Sequence, residues 1–346
     1  MKKVLLGVAL LFLLAQPVRA IDVTAPTAPD SVSDLEIYEG ESFSEGLSKI
    51  LRAAFSELLP QVTMALRLCL CAASAALLGG LLSGVAKEGL PPLGWAVTLA
   101  TAGILLPGVA EIIALARDTV QQMSEYGRLL LPVMAMALAA QGGVNSSAAL
   151  YAATACVDAL LSAFISGVLL PGIYLYLALS VACAAFGQER LGALRDGIRD
   201  GLTWLLKTAL TLYFAYMSIT GVVTGSTDAL AVKATRMTIS GMVPVVGGIL
   251  SDASEAVVLT AGMVKNAAGV YGMLVLLALW LTPFLRIGVQ YLLLKLTASL
   301  CAYFGEPAAV GLMRDFSGAM GLALGMTGTV CLMLLISTVC FMRAVS

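Results

Sequence analysis

Long apolar runs separated by short polar breaks dominate the chain. Stretches rich in Leu, Ala, Val, Gly and Met recur near 62–86, 93–116, 129–145, 148–167, 169–187, 202–223, 242–264, 267–285, 287–305 and 318–341. A helix needs roughly 17 to 25 apolar residues to cross a hydrocarbon layer about 30 Å thick, whereas barrel strands are about ten residues long and alternate in character. The pattern predicts an all-α, polytopic helical membrane protein with about eight to ten transmembrane helices.

Two segments precede these runs. Residues 1–20, MKKVLLGVALLFLLAQPVRA, have two lysines, a short apolar centre and a small-x-small ending at Val18 and Ala20, the form of a cleavable signal peptide. Residues 21–60 begin polar, acidic and proline-bearing, as an extracytoplasmic tether. They then place Phe43, Leu47, Ile50, Leu51, Ala54 and Phe55 at helical spacing, predicting an amphipathic helix for a membrane face or a protein partner. Residues 61–346 form the transmembrane domain. The loop QERLGALRDGIRD after Phe186 carries Arg190, Arg195 and Arg199, the densest basic cluster between spans, and is expected in the cytoplasm.

Composition agrees with a lipid solvent: 60% of the 346 residues are hydrophobic and 12% charged, and mean hydropathy is +0.95. There is no histidine, which removes the usual general base and metal ligand, and no GxxxxGK[ST] motif to hold a nucleotide. The chain is therefore read as a non-enzyme without cofactor, metal or nucleic-acid partner. All seven cysteines fall in apolar runs, where they act as small hydrophobes, and neither a disulfide nor a metal site is expected. Gly80 and Gly84, and Gly321 and Gly325, have the GxxxG spacing of close helix packing, within the chain or in a homo-oligomer.

Order within the chain suggests an internal repeat around 129–223 and 242–341. Pro132 and Pro244 sit in LLPV and MVPV; Pro171 and Pro283 each open a span that closes on Phe-Gly; then come GALRD (Gly192, Arg195, Asp196) and GLMRD (Gly311, Arg314, Asp315), read as matching cytoplasmic loops. The prolines, with Gly247 and Gly248, are candidate points where helices break or re-enter.

Charges inside apolar runs must pair, reach the interface or meet water. Glu111, Asp158, Lys207, Arg286 and Lys295 are of this kind, and Asp158 with Lys207 is the expected interior pair. The sharpest case is SGMVPVVGGILSDASEA, where Ser251, Asp252, Ser254 and Glu255 follow nine apolar residues too few to cross alone. In a helix Ser251 and Glu255 share a face, so these four are candidate pore-lining groups. Gln141 and Asn145 occupy the corresponding polar cluster after Pro132.

The signal-like start, the acidic tether, the polytopic body and ISGMVPVVGGILSDASEAVV followed by KNAAGVYGMLVLL resemble the stage III sporulation protein AE family. The resemblance covers about Phe43 to Arg343. It implies a multi-pass protein of the mother-cell membrane surrounding the forespore. Its implied partners are other stage III sporulation A-type subunits: a cytoplasmic ATPase, small polytopic subunits and ring-forming intermembrane proteins. The expected role is a structural or pore-forming subunit of the secretion-like channel joining the two compartments. A secondary transporter of small solutes and a non-conducting scaffold are the alternatives.

Overall fold

The computed structural model describes residues 25–35, 37–38, 40–85, 91–140, 144–187, 190–213, 215–216 and 247–343. Among these, helices account for nearly everything and no strand occurs: α1 (Phe43–Val85), α2 (Pro91–Ala140), α3 (Val144–Phe164), α4 (Leu170–Phe186), α5 (190–213), α6 (Gly247–Cys301) and α7 (Pro307–Arg343). A short 3-10 turn, Asp30–Leu35, precedes α1. A π-turn, Ile165–Leu169, joins α3 to α4, with helical backbone on both sides, so 144–186 is one helical path.

Local chemistry explains the ends. Ser42 Oγ accepts the amide of Glu45 and donates to the Glu45 carboxylate at 2.7 Å, a capping arrangement that starts α1 at Phe43. α4 stops where Gly187 takes a left-handed φ of 62° and its amide donates to Cys183 O, turning the chain toward α5.

The helices are longer than the apolar runs suggested. Runs 93–116 and 129–145 join in α2 as far as Ala140, and 267–285 and 287–305 join in α6 as far as Cys301. The polar stretches between them do not interrupt the helix, because a charged side chain on a helix surface leaves the backbone hydrogen bonds intact. Five helical stretches among the described residues are long and apolar enough to cross a membrane: Phe43–Ser83, Gly94–Ala140, Gly167–Phe186, Asn266–Cys301 and Pro307–Met342.

Four long helices form the body, with α1 antiparallel to α2 and α6 antiparallel to α7. Register can be read from close approaches. A Cβ on Gly79 would meet Val97, one on Gly46 would meet Leu274, one on Gly127 would meet Leu334, and one on Gly269 would meet Met342. At the end where α1 and α6 finish, the Glu306 amide donates to Ala76 O at 2.9 Å, and Ser83 donates to the Glu306 carboxylate. The core between the four is continuous, filled by residues such as Leu105, Ile113, Met123, Phe316 and Phe341.

Part of the segment read as a tether packs on this body. Val32 and Ile37 are buried, the Ala28 amide donates to Tyr271 Oη at 3.1 Å, and Ser31 donates to Gln122 at 2.9 Å. Lys49 pairs with Glu41 at 2.8 Å, and that hydrogen bond holds the Glu41 carboxyl below its ordinary pKa.

Candidate functional site: charged pairs between the helices

Placing an ion in an apolar bundle is costly unless an opposite charge or hydrogen-bond partner is supplied. Three pairs tie distant parts of this chain together. Arg195 Nη1 of α5 donates to Asp315 Oδ2 of α7 at 2.7 Å, with both side chains mostly shielded. Arg195 also pairs with Asp196 at 2.9 Å, and Tyr176 Oη of α4 reaches Asp315 Oδ1 at 3.5 Å. Burial works against the Arg195 charge, and Asp315 and Asp196 more than offset it, leaving its pKa raised.

The site brings the two Arg-Asp motifs into contact. GALRD and GLMRD, read as loops, lie inside helices: Gly192 to Asp196 in α5 and Gly311 to Asp315 in α7. Leu, Ala and Arg are good helix formers and neither motif contains proline, so nothing local ends the helix there. Arg314 points outward and is exposed, while Asp315 faces Arg195. α5 then follows α7 in the same direction, since a Cβ on Gly325 would meet Leu206 and Tyr213 Oη donates to Met333 O at 2.7 Å.

A second pair corrects an expectation. Asp158 of α3 pairs with Arg128 of α2 at 3.0 Å, not with Lys207, which is exposed on α5 and has no ion pair among the described residues. The α2–α3 hairpin decides this: Arg128 lies 12 residues before Ala140 and Asp158 lies 14 after Val144, so they meet across its arms. The third pair joins Arg286 of α6 to Glu111 of α2. It borders a cavity lined by Glu57, Leu58, Gln61, Thr282 and Pro283, among others.

Other sequence candidates fall elsewhere. Pro132 and Pro283 lie inside continuous helices, and Pro171 follows directly on the π-turn Ile165–Leu169 within the helical path 144–186. Gly247 and Gly248 begin α6, and Ser251, Asp252, Ser254 and Glu255 follow on the same unbroken helix. Pro244 and Gln141 lie outside the described residues; Asn145 is in the first turn of α3. None of the seven cysteines is in a disulfide. Tyr176, Tyr213 and Arg128 were missed from sequence. The one pointer to Arg128 was the polar stripe Arg117, Gln121, Ser124, Glu125 and Arg128, spaced along one face of α2.

Comparison with known proteins decides the family. A family model described as stage III sporulation protein AE matches residues 31–344. The chain belongs to the stage III sporulation protein AE family. A relative with that name from Bacillus subtilis (strain 168) is 23% identical over 190 residues, which are 55% of this chain and 48% of the relative. The matched region thus spans about half the length of that relative. No solved structure matches. Family membership implies a sporulation role for this multi-helix membrane protein.

Proposed function

We propose that this chain is a membrane-embedded structural or pore-forming subunit of a secretion-like channel between mother cell and forespore. In this role it works in the mother-cell membrane beside a cytoplasmic ATPase, small polytopic subunits and ring-forming proteins. The reading rests on family membership. It is favoured by one structural observation: α6 is an unbroken helix from Gly247 to Cys301 that carries Ser251 to Glu255. The polar group Ser251 to Glu255 rides on that helix, and the sequence is apolar again directly after it, from Ala256 to Val264. On that helix, Asp252 and Glu255 are the groups assigned to line a route or meet a ring partner.

The experiment is replacement of Asp252 and Glu255 together by Asn and Gln, with membrane insertion checked by immunoblot of the membrane fraction. The double variant should insert normally and block forespore development. Normal sporulation by an inserted double variant would remove the assignment of these residues. Co-purification from sporulating cells tests the assembly itself: recovery of the chain without any other sporulation protein would defeat the subunit reading.

A further inference from the structure

α5 differs in chemistry from the helices beside it. It runs along α7 in the same direction: Arg195 meets Asp315, a Cβ on Gly318 would meet Arg199, one on Gly325 would meet Leu206, and Tyr213 donates to Met333 O. α7 is apolar enough to cross a membrane from Pro307 to Met342, whereas α5 is not among the described stretches that are. At this end of the bundle α6 presents exposed Leu292, Leu296 and Leu300, with Tyr303 and Phe304 just beyond. That surface suits hydrocarbon with an aromatic rim.

The face of α5 turned away from α7 does not. Ala193, Gly197, Asp200, Trp204, Lys207 and Thr211 are all exposed, and their spacing alternates between four and three, so they form one stripe along the helix. A Cβ on Gly197 would meet nothing within 4 Å. Among the described residues neither Asp200 nor Lys207 is in an ion pair. They stand seven residues apart, about 10 Å of rise, too far to serve each other. Asp315 is eight residues past Pro307, and Asp200 is five past the Arg195 that meets it. Asp200 therefore sits about 20 Å from the Pro307 end, inside a layer about 30 Å thick.

A carboxylate at that depth is strongly disfavoured against lipid and needs a cation or water. A dry protein seam would have to bring a buried cation to Asp200 and a buried anion to Lys207. Water satisfies both at once. We propose that the outer face of α5 lines a water-filled route across the membrane, with Asp200 and Lys207 facing its lumen. From Ala193 to Thr211 the stripe is about 27 Å long, close to the thickness of the hydrocarbon layer. Charges of both signs along it fit hydrated polar solutes and do not select by sign. The proposal rests on the channel reading and deepens it by naming a wall other than Ser251 to Glu255.

The test uses broken membranes of sporulating cells, open on both faces, that hold the full chain with its native cysteines replaced by alanine. One cysteine is introduced at a time, and insertion is checked by immunoblot. A charged methanethiosulfonate should modify Gly197→Cys, Asp200→Cys and Thr211→Cys about tenfold or more faster than Leu292→Cys, exposed on α6, and Leu202→Cys, which is buried against α4. Three stripe positions keep the comparison open if one variant fails to insert. Stripe positions as slow as Leu292→Cys overturn the proposal, whether lipid or another chain covers them. Equally fast modification of Leu292→Cys overturns it as well, since this end would then lie outside lipid. Slow stripe positions in membranes where other sporulation proteins co-purify with the chain would remove the α5 wall and leave the subunit reading. Fast stripe positions without any co-purifying sporulation protein would do the reverse.

Discussion

Gly80 lies where α1 meets the end of α6, and a Cβ there would stand 2.0 Å from Phe304 O. The obstacle is backbone, which cannot swing aside as a side chain can. Gly103, on α2, has nothing within 4 Å of the same added atom. Gly80→Ala should therefore lower stability by about 1–3 kcal/mol despite the better helix propensity of alanine. Gly103→Ala should raise it by up to about 1 kcal/mol. Thermal unfolding in detergent reads both signs, and equal shifts would show that the approach at Gly80 yields easily. The GxxxG spacing made Gly80 legible in sequence, but its neighbour was not, because spacing along one helix says nothing about which backbone approaches it. The same limit hid the partner of Asp158. An interior carboxylate announces that it needs a cation, while the hairpin that selects Arg128 over Lys207 belongs to the tertiary structure.

Helix pairing turns on Arg195 and Asp315. They clip α5 to α7 near the start of both, and packing continues in parallel through Leu206 near Gly325 and Tyr213 on Met333. Removing one member leaves the other charge shielded and uncompensated, so Asp315→Asn or Arg195→Gln should cost about 3 kcal/mol. Exposed Arg314, one residue away, should tolerate alanine within about 0.5 kcal/mol. Detergent unfolding curves of the three variants make the comparison. A loss at Arg314 equal to that at Asp315 would mean that overall charge, not this contact, holds α5. The likeness of GALRD and GLMRD was readable in the chain, and the structure sets the hairpins α4–α5 and α6–α7 in the same sense with one residue from each motif in contact. That the motifs are helical was not readable from polarity, which marks exposure equally well on a loop and on a helix surface.

At the scale of the molecule, length is the informative quantity. From Gly94 to Ala140, α2 is a helix of 47 residues, about 70 Å long, against a hydrocarbon layer of about 30 Å. The four long helices run together, so the body cannot fit wholly inside the bilayer. Surface chemistry divides it. Near the ends Val85, Gly94, Cys301 and Pro307, the exposed side chains include Leu70, Leu78, Leu81, Leu99, Leu296 and Leu300, with Trp95, Tyr303 and Phe304 exposed at the rim as aromatic anchors are. Toward the other end come Glu57, Arg117, Asp118, Gln121, Glu125 and Arg128. Hydropathy averaged along each helix concealed this division, because the distal half is apolar inside and sets its charges beside exposed Phe55, Leu59, Leu129 and Met136. Taking the leucine-rich half as the part that lipid surrounds leaves the Arg117–Arg128 half projecting beyond it. After the native cysteines are replaced by alanine, a single cysteine at Glu57 or Gln121 should react with a membrane-impermeant maleimide, while one at Leu78 or Leu296 should not. If residues ahead of α1 lie outside the cytoplasm, the reactive pair labels from the outer face of intact cells. Labelling of Leu78 with protection of Gln121 would move the bilayer to the opposite half.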